Sequence, residues 1–325
     1  MNPKEIFKAL QTEIETTQYG KHPAELYDPI SYIMSLGGKR LRPMLTLLSA
    51  SLYTDQWRAF LKPAIAVEVF HNFTLMHDDI MDCAPLRRGQ ATVHEKWNAN
   101  VAILSGDVML VQAYQLMLAA SPEQLPQILA RFNRTAAEVC EGQQLDMNFE
   151  TRWDVTEDEY INMIRLKTSV LLGYALELGG ILAGADAASC QLLYDAGVNM
   201  GLGFQLKDDL LDVYGDPQKF GKQVGGDIIS NKKTFLLIEA LDRASGQTKE
   251  TLTHWLNQTT FDKAQKVKAV TDIYESLDVR ALTEAKIDAY FQTGFDALGQ
   301  LPHPAKTAQK EVLMAFARQL IEREN

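Results

Sequence analysis

Apolar residues recur at steps of three and four along most of this chain. From Pro63 onward, Ile65, Val69, Phe73, Met76 and Ile80 keep that spacing, which lines one face of an α-helix. Residues 101–120, VAILSGDVMLVQAYQLMLAA, are apolar on most sides, the pattern of a buried helix. Residues 159–183 and 191–213 read the same way. Convincing period-two alternation is absent, so no strand is predicted. Breaks are predicted at Gly37-Gly38, at Pro85 to Gly89, at Gly179-Gly180 and at Gly215 to Gly226. No repeat, low-complexity tract or Ser/Gly/Pro-rich linker divides the 325 residues. The expectation is an all-α, single-domain bundle of long helices around a central cavity, spanning residues 1–325.

Composition narrows the possible partners. Hydrophobic residues make up 46% of the chain, enough for a large core. The formal net charge is -10, which argues against nucleic acid or an anionic membrane as a general partner. The three cysteines, Cys83, Cys140 and Cys190, have neither metal-ligand spacing nor a disulfide framework and fit a reducing compartment. The opening MNPKEIFKALQTEIE lacks the apolar core of a signal peptide, and no apolar run reaches membrane-span length. A cytoplasmic protein without stable membrane insertion is expected.

Two acidic clusters stand out against this background. One is Asp78-Asp79-Ile80-Met81-Asp82, the other Asp208-Asp209-Leu210-Leu211-Asp212. Each is a DDxxD motif in an apolar, helix-like setting. Acidic side chains four apart share one helix face and repel. A cation held between the clusters would remove that cost. Carboxylates that coordinate an ion only partly suit Mg²⁺, which completes its shell with water and substrate phosphates. A polyphosphate substrate gripped through Mg²⁺ follows.

Cationic elements accompany the acidic ones. Gly37-Gly38-Lys39-Arg40-Leu41-Arg42-Pro43 sits between helical stretches, with Lys39 and Arg42 three apart and able to point the same way. Two cations so placed hold an anion without metal. Arg87-Arg88-Gly89 follows the first motif, and Lys167-Thr168, Lys222 and Lys232 are further candidates. Each of these alone reads equally as a solvated face or as neutralisation of nearby acids.

Taken together, the residues resemble the trans-isoprenyl diphosphate synthase (polyprenyl synthetase) family. The motifs are GGKRLRP, HNFTLMHDDIMD followed by APLRRG, EGQQLD, the LKTS of Leu166 to Ser169, and FQLKDDLLDVYGD running into GKQVGGDIISNKKT. They keep the family's order from about Gly37 to Thr234. The last ninety or so residues carry no usable motif, and the mixed-charge ending ARQLIEREN lacks the basic tail of many short-chain members.

The resemblance implies a homodimer with the isoprenoid synthase fold, working with Mg²⁺ on isopentenyl diphosphate and an allylic diphosphate (dimethylallyl, geranyl or farnesyl). The allylic diphosphate ionises, isopentenyl diphosphate attacks its C1, and a proton is lost. By the family pattern, Asp78, Asp82 and Asp208 bind Mg²⁺, while Asp79, Asp209 and Asp212 support or complete that shell. Arg87, Lys167 and Lys232 hold the allylic diphosphate, with Lys222 a further substrate contact. Lys39, Arg42, His71 and Arg88 hold isopentenyl diphosphate. Thr168 and Gln205 lie near the forming cation, and Gln143 and Asp146 of EGQQLD line the site, Asp146 on the metal side. His71 precedes Asp78 by seven residues, two helical turns on the same face. His77 and His94 read as core histidines, and Asp107 has no assigned role.

Product length is read from the helix before the first motif. Phe73 lies five residues before Asp78, about 7.5 Å along the axis. Thr74 is small, and Phe70 lies nearly one turn deeper. In this family a bulky residue at that position stops elongation early. A single aromatic with an unexpanded motif resembles geranylgeranyl diphosphate synthases, so twenty carbons are expected, ahead of fifteen. Phe73 as plain core packing is the alternative.

Two other functions would share part of the pattern. A class I terpene cyclase needs no GGKxxR cluster, and its second metal motif usually differs from Asp208 to Asp212. A non-catalytic subunit of a heteromeric prenyl synthase typically loses aspartates, and all six are present here.

Overall fold

The computed structural model describes residues 2–215, 224–302 and 306–321. Regular structure is helical throughout, except for one two-stranded hairpin among the described residues, β1 (Leu86–Arg87) and β2 (Gln90–Ala91). In order, the first helices are α1 (Pro3–Thr16), α2 (Ala24–Ser35), α3 (Leu41–Ala50), α4 (Leu61–Met81), α5 (Val93–Lys96) and α6 (Ala99–Met117). Then come α7 (Leu125–Glu150), α8 (Glu157–Ile164), a π turn (Arg165–Ser169), α9 (Val170–Leu182) and α10 (Ala187–Tyr214). After these follow α11 (Gly226–Ile229), α12 (Phe235–Arg243), α13 (Gly246–Asn257), α14 (Lys263–Ser276), α15 (Val279–Gly299) and α16 (Thr307–Ile321).

Local sequence explains several helix starts. Asn2 caps α1 by accepting from the Lys4 amide, and Pro3 occupies the first turn, where its missing N–H costs nothing. Asn98 caps α6 through the Val101 amide. Thr156 and Glu159 form a reciprocal capping box at α8, worth about 1 kcal/mol.

The chain divides into two compact units. The first comprises Met1–Arg134, Tyr174–Tyr194 and Leu301–Leu313. Its centre is α4, packed against α6, α3, α2 and α1. Phe70 on α4 is fully buried and meets Phe132 edge-on at 5.0 Å, and Phe132 meets Tyr114 at 5.0 Å and Tyr174 at 5.8 Å. The second unit comprises Thr135–Gly173, Asp195–Gln300 and Met314–Asn325. There Lys266 of α14 is completely buried and donates to Asn231 Oδ1 (2.6 Å) and Ile229 O (3.2 Å), which ties down the loop after α11.

Two expectations change. Gly179-Gly180 is no break, because α9 runs through both residues. A Cβ on Gly179 would lie 2.1 Å from Thr46 O, so the glycine permits α9 to touch α3. Thr46 and Ser49 seal that contact by donating to Ala175 O (2.8 Å) and Leu176 O (2.6 Å). Helix α6 is not buried on most sides either. Ser105, Met109, Gln112 and Met117 face the core, but Leu104 and Leu118 are 58% and 61% exposed, with Ile103 and Val111 beside them.

Candidate active site

Both aspartate motifs fall in the last turns of long helices. Asp78 belongs to the final turn of α4 and Asp82 is its C-cap residue. Asp212 lies in the last turn of α10, with Asp208 one turn before it. The partial negative charge at a helix C-terminus disfavours carboxylates. Each cluster therefore sits where local electrostatics already call for a cation.

In the first unit Asp79 is buried and its charge is answered. Arg87, on β1, donates Nε to Asp79 Oδ1 (2.9 Å) and Oδ2 (2.8 Å), and Nη2 to Oδ1 (2.7 Å). The hairpin bearing Arg87 is itself fixed. Thr92 Oγ1 donates to Ala84 O (2.8 Å), and Tyr32 Oη donates to Ala91 O (2.7 Å). Asp78 is partly exposed and Asp82 is exposed.

The basic residues gather around His71 on α4. Arg42 lies in the first turn of α3, and its Nε is buried without a hydrogen-bond partner. Burial pushes Arg42 down to about 10, which leaves it charged at neutral pH. Arg88 donates Nη1 to Gly37 O, so its side chain lies across the glycine turn that carries the exposed Lys39. Burial, then the positive charges of Arg42, Arg88, Arg87 and Arg40, hold His71 well below the ordinary imidazole range. A neutral ring among several guanidinium groups adds no positive charge of its own to a locally cationic cluster.

Sequence reasoning missed what stands behind this cluster. Arg40 is buried, has a left-handed backbone (φ 48°) and donates Nη1 to Glu68 Oε1 at 2.8 Å. The signal was present as a single acid inside the apolar stretch AIAVEVF.

Near the first motif, Phe73 is half-buried between Phe70 (5.6 Å) and the His77 ring (4.8 Å). His77 Nε2 lies 3.2 Å from Ile103 O at a partly exposed position, so the ring has a partner but is not the core histidine expected. Thr74 Oγ1 donates back to His71 O at 2.8 Å.

In the second unit a chain of contacts runs through the remaining candidates. Lys167, in the π turn, donates Nζ to Asp146 Oδ2 at 2.5 Å. A Cβ on Gly142 would lie 2.2 Å from Lys167 N, so the glycine of EGQQLD lets α7 abut the π turn. Gln143, its neighbour, is buried. Thr168 Oγ1 donates to Gln205 Oε1 (3.1 Å), and Gln205 Nε2 donates to Asp209 Oδ1 (3.1 Å). The buried Tyr160 hydroxyl donates to Asp209 Oδ2, a partner no sequence signal indicated. Desolvation raises Asp209 to about 7, against the opposing pull of Lys232. Asp212 Oδ2 accepts from the Asp227 amide at 2.9 Å. Lys222 lies outside the described residues.

Among the described residues no three His, Cys, Asp or Glu side chains are gathered as a metal cage. Mg²⁺ needs less, since it keeps waters and takes one or two carboxylates plus phosphate oxygens. Asp78 with Asp82, and Asp208 with Asp212, are pairs of hard oxygen donors one helical turn apart, and they fit it. Asp79 and Asp209 are the buried members of the two motifs, and their oxygens accept from Arg87, or from Tyr160 and Gln205.

Comparison with known proteins extends this chemistry. A family profile described as Polyprenyl synthetase matches residues 23–274. The chain is 41% identical over 241 residues to a geranylgeranyl pyrophosphate synthase of Geoglobus acetivorans, covering 74% of this chain and 75% of that one. It is 39% identical over 239 residues to a geranylfarnesyl diphosphate synthase of Natronomonas pharaonis, covering 68% and 70%. A crystal structure of a geranylgeranyl pyrophosphate synthase superposes over 100% of both chains with a TM-score of 0.95 at 44% identity.

Proposed function

We propose that this chain, which belongs to the polyprenyl synthetase family, is a geranylgeranyl diphosphate synthase. It has the all-α isoprenoid synthase fold and is a trans-prenyltransferase making short-chain prenyl diphosphates. The reaction joins isopentenyl diphosphate to an allylic diphosphate. The allylic C1–O bond breaks and its electron pair leaves with diphosphate. The double bond of isopentenyl diphosphate attacks C1, and a proton is lost to re-form an alkene.

Residue roles follow from charge and chemistry. Asp78, Asp82, Asp208 and Asp212 would hold Mg²⁺. Bound Mg²⁺ supplies Lewis-acid neutralisation of the departing diphosphate. Asp79 and Asp209 steady the two motifs. Arg87, Lys167 and Lys232 hold the allylic diphosphate, with Lys222 a further substrate contact and Asp146 setting the Lys167 ammonium. Thr168, Gln205 and Gln143 face the developing cation with neutral dipoles, which cannot capture it as a carboxylate would. Lys39, Arg42, His71 and Arg88 seat isopentenyl diphosphate without metal. Departing diphosphate takes the proton, so no dedicated histidine base is needed.

One observation supports this reading above the others. His71 is held neutral beside Arg42, whose buried Nε lacks a protein partner. That arrangement suits a second anion of a different kind from one carried by metal, as a two-diphosphate reaction requires. Phe73, backed by Phe70 and Phe132, supports twenty carbons as the stopping point.

Other parts of the reading draw on different features. The exposed stripe of Ile103, Leu104 and Val111 on α6, with Leu118 at its C-cap, supports a homodimer. The family match spans residues of both units, which supports one catalytic domain. No helix among the described residues is long and apolar enough to cross a membrane, and three cysteines outside any disulfide support a cytoplasmic setting.

Supplying dimethylallyl, geranyl and farnesyl diphosphates separately with isopentenyl diphosphate and Mg²⁺ tests the assignment. Chromatography of the dephosphorylated alcohols should show geranylgeraniol from each primer. A shorter or longer main alcohol would reject the product length, and no alcohol would reject catalysis by the chain alone.

A further inference from the structure

We infer that Arg40 and Glu68 form a positioning pair that sets the isopentenyl diphosphate seat without touching that substrate. The inference rests on the reading of Lys39, Arg42, His71 and Arg88 as the seat. None of the four owes its place to local secondary structure alone. Lys39 comes from the turn between α2 and α3 and Arg42 from the first turn of α3, whereas His71 comes from the middle of α4. Something must fix turn against helix, because a displacement of about 1 Å is enough to spoil a charge-assisted contact.

The ion pair provides that link. Both side chains are excluded from water, at 0% and 3% exposure. Arg40 Nη1 donates to Glu68 Oε1 at 2.8 Å, and Nη2 donates to Met34 O at 2.5 Å. One guanidinium therefore joins the end of α2, the turn and α4. Arg40 O accepts from the Met44 amide at 3.0 Å, which starts the helix that bears Arg42. On the other side, Glu68 lies one turn before His71. Asn72, next to His71, donates Nδ2 to Glu68 O (2.8 Å) and Oε1 (3.3 Å).

Two features argue that this is more than generic core packing. A buried ion pair is weak evidence for stability, since apolar replacements often do as well. A left-handed backbone at a non-glycine residue adds a further cost at Arg40. The gain is geometric instead: the pair fixes where Arg42, two residues after Arg40, and the neutral His71, three residues after Glu68, stand. It also keeps the Glu68 carboxylate occupied, so that it does not compete with the diphosphate for Arg42.

The test separates the two substrates in steady-state kinetics with Mg²⁺ present. Glu68→Gln should raise KM for isopentenyl diphosphate at least tenfold while KM for the allylic diphosphate stays within twofold. Glu68→Asp, which keeps the charge and withdraws it by one methylene, should give a smaller rise of the same selectivity. Arg42→Ala serves as the reference for the seat itself. If Arg42→Ala leaves KM for isopentenyl diphosphate unchanged, the seat assignment fails and this inference with it. If Arg42→Ala raises that KM but neither Glu68 variant does, the positioning role alone is overturned. Equal rises in both KM values, or loss of the folded state in both Glu68 variants, would likewise overturn it and leave the pair as support for the fold.

Discussion

Arg87 grips Asp79 through three short contacts, so the middle carboxylate of the first aspartate motif is already neutralised within the chain. Asp79 is 3% exposed and Arg87 25% exposed. Removing the partner strands a buried charge. Arg87→Ala should destabilise the protein by about 3 kcal/mol. Asp78→Asn, which removes a partly exposed acid from a helix C-terminus, should leave stability within about 0.5 kcal/mol while abolishing most turnover. Urea unfolding of the two variants checks the contrast.

His71 should make the protein acid-sensitive in a defined window. In the unfolded chain its imidazole protonates near about pH 6.5. In the folded chain burial and the surrounding arginines keep it neutral until well below that. Below about pH 6.5 the unfolded state therefore binds more protons, and stability falls as pH falls. His71→Asn should flatten this slope between about pH 6.5 and about pH 5, measured by denaturant midpoints without substrate. An unaltered slope would place the acid sensitivity elsewhere.

Phe73 should set product length. Phe70 stands next to it at 5.6 Å, with Phe132 against the far side of Phe70 at 5.0 Å, and both remain when Phe73 is truncated. Phe73→Ala should thus extend the main product by one or two five-carbon units rather than release long chains. Phe73→Ala with Phe70→Ala should lengthen it further. Chromatography of the alcohols reads both, and an unchanged distribution would reduce Phe73 to core packing.

Gly142 should tolerate no side chain. A Cβ there would collide with the Lys167 backbone amide, and backbone cannot swing aside as a flexible side chain can. Gly142→Ala should cost about 1–3 kcal/mol and displace the Lys167–Asp146 pair. A fall in kcat greater than the fall in folded fraction would show that the π turn positions chemistry as well as structure.

The sequence made the helices and both acidic clusters legible, because hydrophobic spacing and carboxylate spacing are local signals. Gly179-Gly180 was misread since a glycine that permits close helix contact looks, in one dimension, like a glycine that ends a helix. Arg40–Glu68 and Tyr160–Asp209 join residues 28 and 49 positions apart. Local periodicity does not say which buried polar groups will meet. The same limit hid the exposed stripe on α6, whose pattern matches a helix covered either by its own chain or by another.

The central claim is that the two diphosphates are held by different chemistry, one through Mg²⁺ and acids, the other through arginines, lysine and a neutral histidine. Calorimetric titration of isopentenyl diphosphate, and of a non-ionising thio-analogue of the allylic diphosphate, with and without EDTA tests it directly. Isopentenyl diphosphate should bind the metal-free protein with affinity little changed by chelation, while the allylic analogue should need Mg²⁺. Binding of both ligands only with Mg²⁺, or of both equally well in EDTA, would contradict the account.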